Sequence, residues 1–249
     1  MMKISIITVS FNSARTIRDT IESVLNQTYS EIEYIVVDGA SKDDTLSIVK
    51  SYGNRISRLI SEKDNGIYDA MNKGIIAASG DVIGILNSDD FYSHPDVIKN
   101  IAGLFNQETD AVYADLVYVS AGDKNKIVRT WKAGKYELGS FRKGWMPPHP
   151  TFFVRKSVYE KYGVFTDQLK SAADYEIMLR FIHRHQIKVN YLPEIIVHMR
   201  TGGASNLSLK NRIKANREDK KAWKLNGLKP APLTFIRKPL SKLSQFFKR

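Results

Sequence analysis

The stretch Asp81–Asp90 constrains the fold of this chain more than any other. The apolar run Val82-Ile83-Gly84-Ile85-Leu86 has the length of a strand. It ends abruptly in Asn87-Ser88-Asp89-Asp90, an amide, a hydroxyl and two adjacent carboxylates. A Val- and Ile-rich run bounded by Gly80 and by polar residues reads as a strand buried on both faces, as in a parallel sheet. In open α/β sheets, ligands sit beyond the carboxyl ends of such strands. Two acids placed there repel each other and lose hydration. A hard divalent cation with oxygen ligands offsets that cost and keeps positions open for phosphate oxygens. The alternative is that Ser88 or Asp89 simply caps the next turn.

The segments before this stretch alternate at short spacing. Strand Lys3–Val9 precedes a helix that Asn12 or Ser13 can cap and that runs to about Tyr29, with Ile17, Ile21, Val24 and Leu25 on one face. Strand Glu33–Val37, helix Asp43–Tyr52, strand Arg58–Ser61 and helix Ile67–Ala78 follow, the last with Ile67, Met71 and Ile75 at four-residue spacing. This pattern predicts an α/β fold, a mostly parallel central sheet with helices on both faces. Three polar clusters, Thr8–Asn12, Asp38–Ser41 and Asn87–Asp90, then fall on one edge and frame one cleft.

After Asp90 the pattern loosens. The expected elements are helix Asp96–Phe105, strand Ala111–Asp115, and a hairpin over Leu116–Lys132 around Gly122-Asp123. An aromatic, basic, Pro-rich loop follows over Gly139–Pro150. Strand Thr151–Val154, helix Lys156–Tyr162, helix Ala173–His185 and strand Val189–Met199 complete the body.

The 249 residues suffice for one large α/β domain and a tail. Cysteine is absent, which excludes disulfides and thiolate chemistry. No apolar run approaches the roughly 18 residues of a spanning helix, and the N-terminus lacks a signal-peptide pattern, so a cytoplasmic location is expected. The net charge of +12 is concentrated: from Ser208 onward there are thirteen Lys or Arg and two Asp or Glu, leaving the body near neutral. A catalytic domain over 1–207 and a basic extension over 208–249 are therefore expected. The body has neither a Gly-x-Gly-x-x-Gly after the first strand nor a P-loop, which weakens dinucleotide and P-loop readings. A nucleic-acid partner is not expected, because only the tail is basic.

Four segments together carry a resemblance. They are Ile6-Ile7-Thr8-Val9-Ser10-Phe11-Asn12, Val36-Val37-Asp38-Gly39-Ala40-Ser41-Lys42-Asp43, Glu62 to Gly74, and Leu86-Asn87-Ser88-Asp89-Asp90. In this order they resemble the family 2 inverting glycosyltransferases of GT-A fold, over about Lys3 to Gly203. The resemblance implies roles. Thr8 and Ser10 would line the nucleotide pocket through backbone and hydroxyl groups, with Ser88 beside them. Asp38 would accept a hydrogen bond from the base, and Asp64 would sit against base or ribose with Lys73 nearby. Asn87 stands where the family has the first Asp of its Asp-x-Asp motif, on the nucleotide side. Asp89 would hold Mg²⁺ or Mn²⁺ on the diphosphate, with Asp90 as a second ligand and His198 as a further candidate.

An inverting transfer needs a carboxylate to take the acceptor's proton. Ala173-Asp174-Tyr175-Glu176 resembles the family's Glu-Asp segment, with Asp174 at the base position and Ala173 replacing the usual first acid; the alternative is that Asp174 only caps its helix. Arg200 is a phosphate-binding candidate, and Trp145 and His149 are acceptor-side candidates. The implied reaction moves a sugar from a nucleoside diphosphate, UDP by default, to a glycan or lipid-linked acceptor. A sugar nucleotidyltransferase is the alternative, but its Gly-rich basic loop is missing from Thr8–Ser13. In the tail, Asn211–Asn226 reads as a basic helix. Leu233, Ile236, Leu240, Leu243 and Phe247 then recur between basic residues, interrupted by Pro239. That pattern suits peripheral contact with an anionic leaflet, the inner face of the plasma membrane, or packing of the stripe on the body.

Overall fold

The computed structural model describes residues 1–202 and 209–235, with the backbone alone over 209–215. The expected stripe at Ile236, Leu240, Leu243 and Phe247, with its basic neighbours and Pro239, lies outside the described residues, as does Gly203.

Strands β1 (Ile4–Ser10), β2 (Ile32–Asp38), β3 (Arg58–Ser61) and β4 (Val82–Ile85) pair in parallel, with β1 between β2 and β4. Helices α1 (Ile17–Leu25), α2 (Thr45–Lys50) and α3 (Ile67–Ala77) connect them. β1 is buried throughout, so its apolar residues serve both faces. Ile4 and Ile6 pack in a core with Ile17, Ile21 and Val49 from α1 and α2, while Ile7 and Val9 pack with Met71 and Ile75 of α3. A Cβ at Gly74 would lie 2.4 Å from Ile7, so the glycine is what lets α3 sit this close to β1.

Beyond β4 the sheet becomes mixed. β5 (Phe91–Tyr92), α4 (Val97–Ala102) and the hairpin β6 (Ala111–Ser120) and β7 (Asp123–Trp131) come first. They are followed by β8 (Phe153–Arg155), α5 (Lys156–Tyr162), α6 (Ala173–Met178), a π-helical stretch Leu179–Arg184 and β9 (Val189–Arg200). The sheet order is β3-β2-β1-β4-β8-β6-β9-β5, with β7 attached to β6. β8 is antiparallel to both β4 and β6, β9 is parallel to β6, and β5 is antiparallel to β9. Strand β5 was not legible in the sequence, and it matters. In a flat sheet it would stand four strand spacings from β4, roughly 19 Å. The chain covers that gap between Ile85 and Phe91 while also turning, since the Asp90 N–H bonds the Asn87 carbonyl at 3.1 Å. Six residues reach only about 20 Å when fully extended. The sheet therefore curls, bringing the end of β9 against the acid turn.

Several helices are shorter than the periodicity suggests. α1 begins at Ile17 rather than at a cap on Asn12 or Ser13. Asn12 adopts φ 49° and bonds the β2 loop, its N–H to Ser41 and its side-chain oxygen to the Lys42 N–H. Ile67, expected on the apolar face of α3, is 47% exposed at the helix start. α7 (Leu209–Leu225) is helical as expected, and the described part of the extension packs on the body. Trp223 is 1% exposed, its indole N–H bonds the Tyr175 hydroxyl at 2.8 Å, and the Asn226 amide bonds Glu176 at 2.9 Å. Thr234 is fully buried and donates to the Arg142 carbonyl. Among the described residues, no helix is long and apolar enough to cross a membrane.

Candidate functional site

Parallel register sets out the floor of the cleft. Ser10 pairs with Asp38 and Asp38 with Ser61, so their side chains meet at the strand ends. Asp38 is 0% exposed and accepts four hydrogen bonds, from Ser10 Oγ (3.3 Å), Ser41 N (3.0 Å), Ser41 Oγ (2.5 Å) and Ser61 Oγ (3.0 Å). A carboxylate offers about four acceptor positions. Asp38 is thus saturated by the protein and does not present the open acceptor for a base that the sequence suggested. Thr8 is corrected for the same kind of reason. Its hydroxyl is fully buried against Tyr34 Oη at 3.1 Å, away from the cleft. Ser88 is buried too and shares a hydrogen bond with Ser13 at 2.8 Å. These residues build the floor.

The open groups stand around it. Phe11, to which the sequence reading gave no role, is 59% exposed. Gly39 lies beneath it: a Cβ there would be 3.5 Å from the Phe11 ring and 2.3 Å from Asp64 Oδ2. The missing side chain at 39 is what lets the Asp64 carboxylate come in. Asp64 Oδ1 accepts the Gly66 N–H at 2.9 Å, leaving Oδ2 toward the cleft. Lys73 is placed differently from expectation. It bonds Glu62 (2.9 Å), Asp69 (3.6 Å) and the Lys63 carbonyl (2.9 Å), so it braces the loop that carries Asp64.

The acid turn divides its two carboxylates. Asp90 is 0% exposed and accepts the Arg200 N–H at 3.2 Å and the Asn87 amide at 3.4 Å. Burial, and then the charge of Asp89, pushes its carboxyl well above the usual range. Asp90 pins the turn to β9 and is not placed as a second metal ligand. Asp89 is half-buried, and its carboxyl is raised by burial, which its own N–H and Arg200 only partly oppose. Beside it, Asn87 Oδ1 is buried without a hydrogen-bond partner. A buried, partnerless oxygen next to a desolvated carboxylate is the donor set that suits a hard cation. Arg200 is not free for phosphate. It pairs with Asp19, donates to the Asp89 carbonyl at 2.8 Å and lies 4.9 Å from the centre of the Phe91 ring. His198 packs edge-on against Phe91 at 5.0 Å, and among the described residues no three His, Cys, Asp or Glu gather as a metal cluster.

Across the cleft stands Asp174, half-buried in the first turn of α6. Its Oδ1 accepts the Tyr68 hydroxyl at 3.2 Å. Through Tyr68, Asp174 is tied to α3, whose leading loop carries Asp64. His149 is half-buried near Asp174, its ring 5.5 Å from Phe165; burial lowers its basicity and the Asp174 charge opposes that. Trp145 sits in an aromatic group with Tyr113, Tyr136 and Phe141, and its indole N–H bonds the Ala133 carbonyl at 2.7 Å. That placement makes Trp145 mainly a packing residue.

The chain has clear relatives. Residues 5–163 match the family described as Glycosyl transferase family 2, well over half of the 249 residues. An uncharacterized glycosyltransferase of Mycobacterium tuberculosis (strain CDC 1551 / Oshkosh) is 33% identical over 193 residues, 71% of this chain and 68% of that protein. A PGL/p-HBAD biosynthesis glycosyltransferase of Mycobacterium bovis (strain BCG / Pasteur 1173P2) is 26% identical, covering 81% of this chain and 78% of its own. Among solved structures, S. aureus TarS 1-349 in complex with UDP-GlcNAc has a TM-score of 0.69 at 19% identity. That match covers 90% of this chain and 65% of the other, so this chain spans just under two thirds of it. The mannosyltransferase PcManGT from Pyrobaculum calidifontis, in complex with GDP-Man and Mn²⁺, has a TM-score of 0.68 at 18% identity, covering 98% of this chain and 69% of that one. At such identities the structural likeness speaks for the fold, which is GT-A. With the strand-end acids gathered at one cleft and the family match spanning β1 to the end of α5, the chain belongs to glycosyl transferase family 2 and is a glycosyltransferase.

Proposed function

We propose that this glycosyltransferase moves a sugar, with inversion, from a nucleoside diphosphate onto a hydroxyl of a glycan or lipid-linked acceptor, assisted by Mg²⁺ or Mn²⁺. The observation that carries this reading is the bond from Tyr68 to Asp174, which ties Asp174 to the helix whose opening Gly66 holds Asp64 against Gly39 at the end of β2. The Phe11 face suits a flat base, and Asp64 Oδ2 beside it is an acceptor for a base N–H or a ribose hydroxyl. Asp89 and Asn87 Oδ1 would hold the cation, which when bound neutralises charge on the departing diphosphate. The acceptor oxygen bonds to the anomeric carbon from the face opposite the diphosphate. The bond from that carbon to the diphosphate oxygen breaks, and the acceptor's proton passes to Asp174. UDP is the default donor; the neighbours in complex with UDP-GlcNAc and with GDP-Man keep both bases in view.

The test is a panel of UDP-, GDP- and dTDP-sugars assayed with and without Mn²⁺. One donor should turn over in a metal-dependent way, and Asp174→Asn, folded as judged by circular dichroism, should lose on the order of 10²–10⁴-fold in turnover. Near-wild-type transfer by that variant overturns the assignment of the base. The basic extension supports a peripheral position on an anionic leaflet, with exposed Leu138 and Leu233 close in sequence to Arg142 and to Thr234, which bonds it. Removing residues 236–249 should abolish flotation with anionic liposomes, and unchanged flotation overturns that attachment.

A further inference from the structure

Resting on the reading of Asp174 as the base, we propose that Tyr68 is the positioning residue that orients it. Tyr68 Oη donates to Asp174 Oδ1 at 3.2 Å, and Oδ2 has no hydrogen-bond partner among the described residues. One carboxylate oxygen is thereby fixed and the other is left for the acceptor hydroxyl.

The tyrosine is itself held from two directions. Its ring stacks on Phe165, with centroids 5.5 Å apart and planes 24° apart. Phe165 is buried, and its N–H and carbonyl are both engaged by the Asn72 side chain at 2.9 Å. Asn72 lies four residues after Tyr68 on α3, one helical turn along the same face. Burial, together with the Asp174 charge, drives the Tyr68 hydroxyl far above its ordinary range. It therefore stays protonated and donates to the carboxylate, while its oxygen faces the Asp174 and Ala173 backbone N–H groups. The same helix opens at Gly66, whose N–H holds Asp64 Oδ1. Consequently one rigid element, α3 with its leading loop, sets both a donor-side carboxylate and the base. A shift of that element on donor binding reaches Asp174 directly, and holding the reacting groups in register is worth large factors in rate.

The experiment compares Tyr68→Phe, Asp174→Asn and the double variant in steady-state kinetics with saturating metal. Tyr68→Phe keeps the ring on Phe165 and removes the hydroxyl that donates to Asp174 Oδ1. Its kcat should fall about 10- to 100-fold, the scale of a hydrogen bond to a charged group, with the donor KM within about twofold. In the Asp174→Asn background, assayed at high enzyme concentration, the same change should have no further effect. An unaltered kcat for Tyr68→Phe, a loss confined to the donor KM, or an equal loss in both backgrounds would each overturn the positioning role. Full activity in Asp174→Asn alone would instead overturn the reading of the base. An inactive Asp174→Asn beside a fully active Tyr68→Phe removes only the present inference.

Discussion

Two acids at opposite edges of the parallel half-sheet, Glu33 and Asp89, are held in opposite ways. At the amino edge, Glu33 at the start of β2 accepts hydrogen bonds from Ser5 Oγ (2.5 Å), Ser79 N (2.7 Å) and Ser79 Oγ (2.6 Å), and pairs with Lys3 at 3.4 Å. Burial pushes its carboxyl up, but the Ser5 and Ser79 bonds and the Lys3 charge outweigh that and bring it down to about 2. At the carboxyl edge, Asp89 is raised by burial, with only its own N–H and the Arg200 charge in partial opposition, and its neighbour Asn87 Oδ1 has no partner. The burial cost of Glu33 is fully offset, and that of Asp89 only in part. The contrast separates residues that hold the fold from residues whose cost to the fold makes sense only with a ligand.

Three substitutions sharpen or break that contrast. Asp89→Asn should have the largest effect, lowering turnover roughly 10³-fold through loss of the cation. Because burial disfavours the ionised Asp89, the same change should raise the thermal stability of the ligand-free protein at neutral pH. A fall in stability would show that Asp89 is structural after all. Glu33→Gln should do the reverse, costing roughly 2–3 kcal/mol at neutral pH and leaving kcat unchanged. The folded chain ionises Glu33 at about 2 against an ordinary 4.5, so its contribution is full above pH about 4.5 and vanishes as the pH falls toward about 2. Denaturant midpoints of the two proteins should therefore converge over that window, and a constant gap would exclude this origin. Gly39→Ala should have the smallest effect. Its Cβ would displace Asp64 Oδ2, raising the donor KM about tenfold with kcat nearly constant. An unchanged KM would remove Asp64 from the donor site.

Much of this was legible in the chain, for identifiable reasons. Strands buried on both faces announce themselves as apolar runs, and the strand-end polar clusters follow from the alternation of elements. That is why β1 to β4 and the carboxyl-edge position of Asp38, Asp64 and Asp89 emerged early. Side-chain direction did not. Asp38 and Asp64 look alike in a sequence, and only the register beside Ser10 and Ser61 shows that Asp38 is saturated. Asp89 and Asp90 are neighbours whose opposite orientations depend on the two-residue strand β5, too short to carry a periodic signal. The four-residue spacing names Asp69 as a partner of Lys73, but Glu62 for Lys73 and Asp19 for Arg200 follow from no spacing rule. Tyr68 was hidden because its partner is 106 residues away. The one available cue was an aromatic residue just after Asp64-Asn65-Gly66, on the flank of the apolar face of α3.

The docking of α7 has a consequence for how the protein is made. Trp223 and Asn226 clasp Tyr175 and Glu176, the two residues that follow Asp174. On the ribosome, the parallel half-sheet is synthesised well before this clasp exists, and domains generally begin to fold from the N-terminal side. The turn that carries Asp174 is latched only once α7 has emerged, so in a nascent chain β1 to β4 are complete before Asp174 is braced.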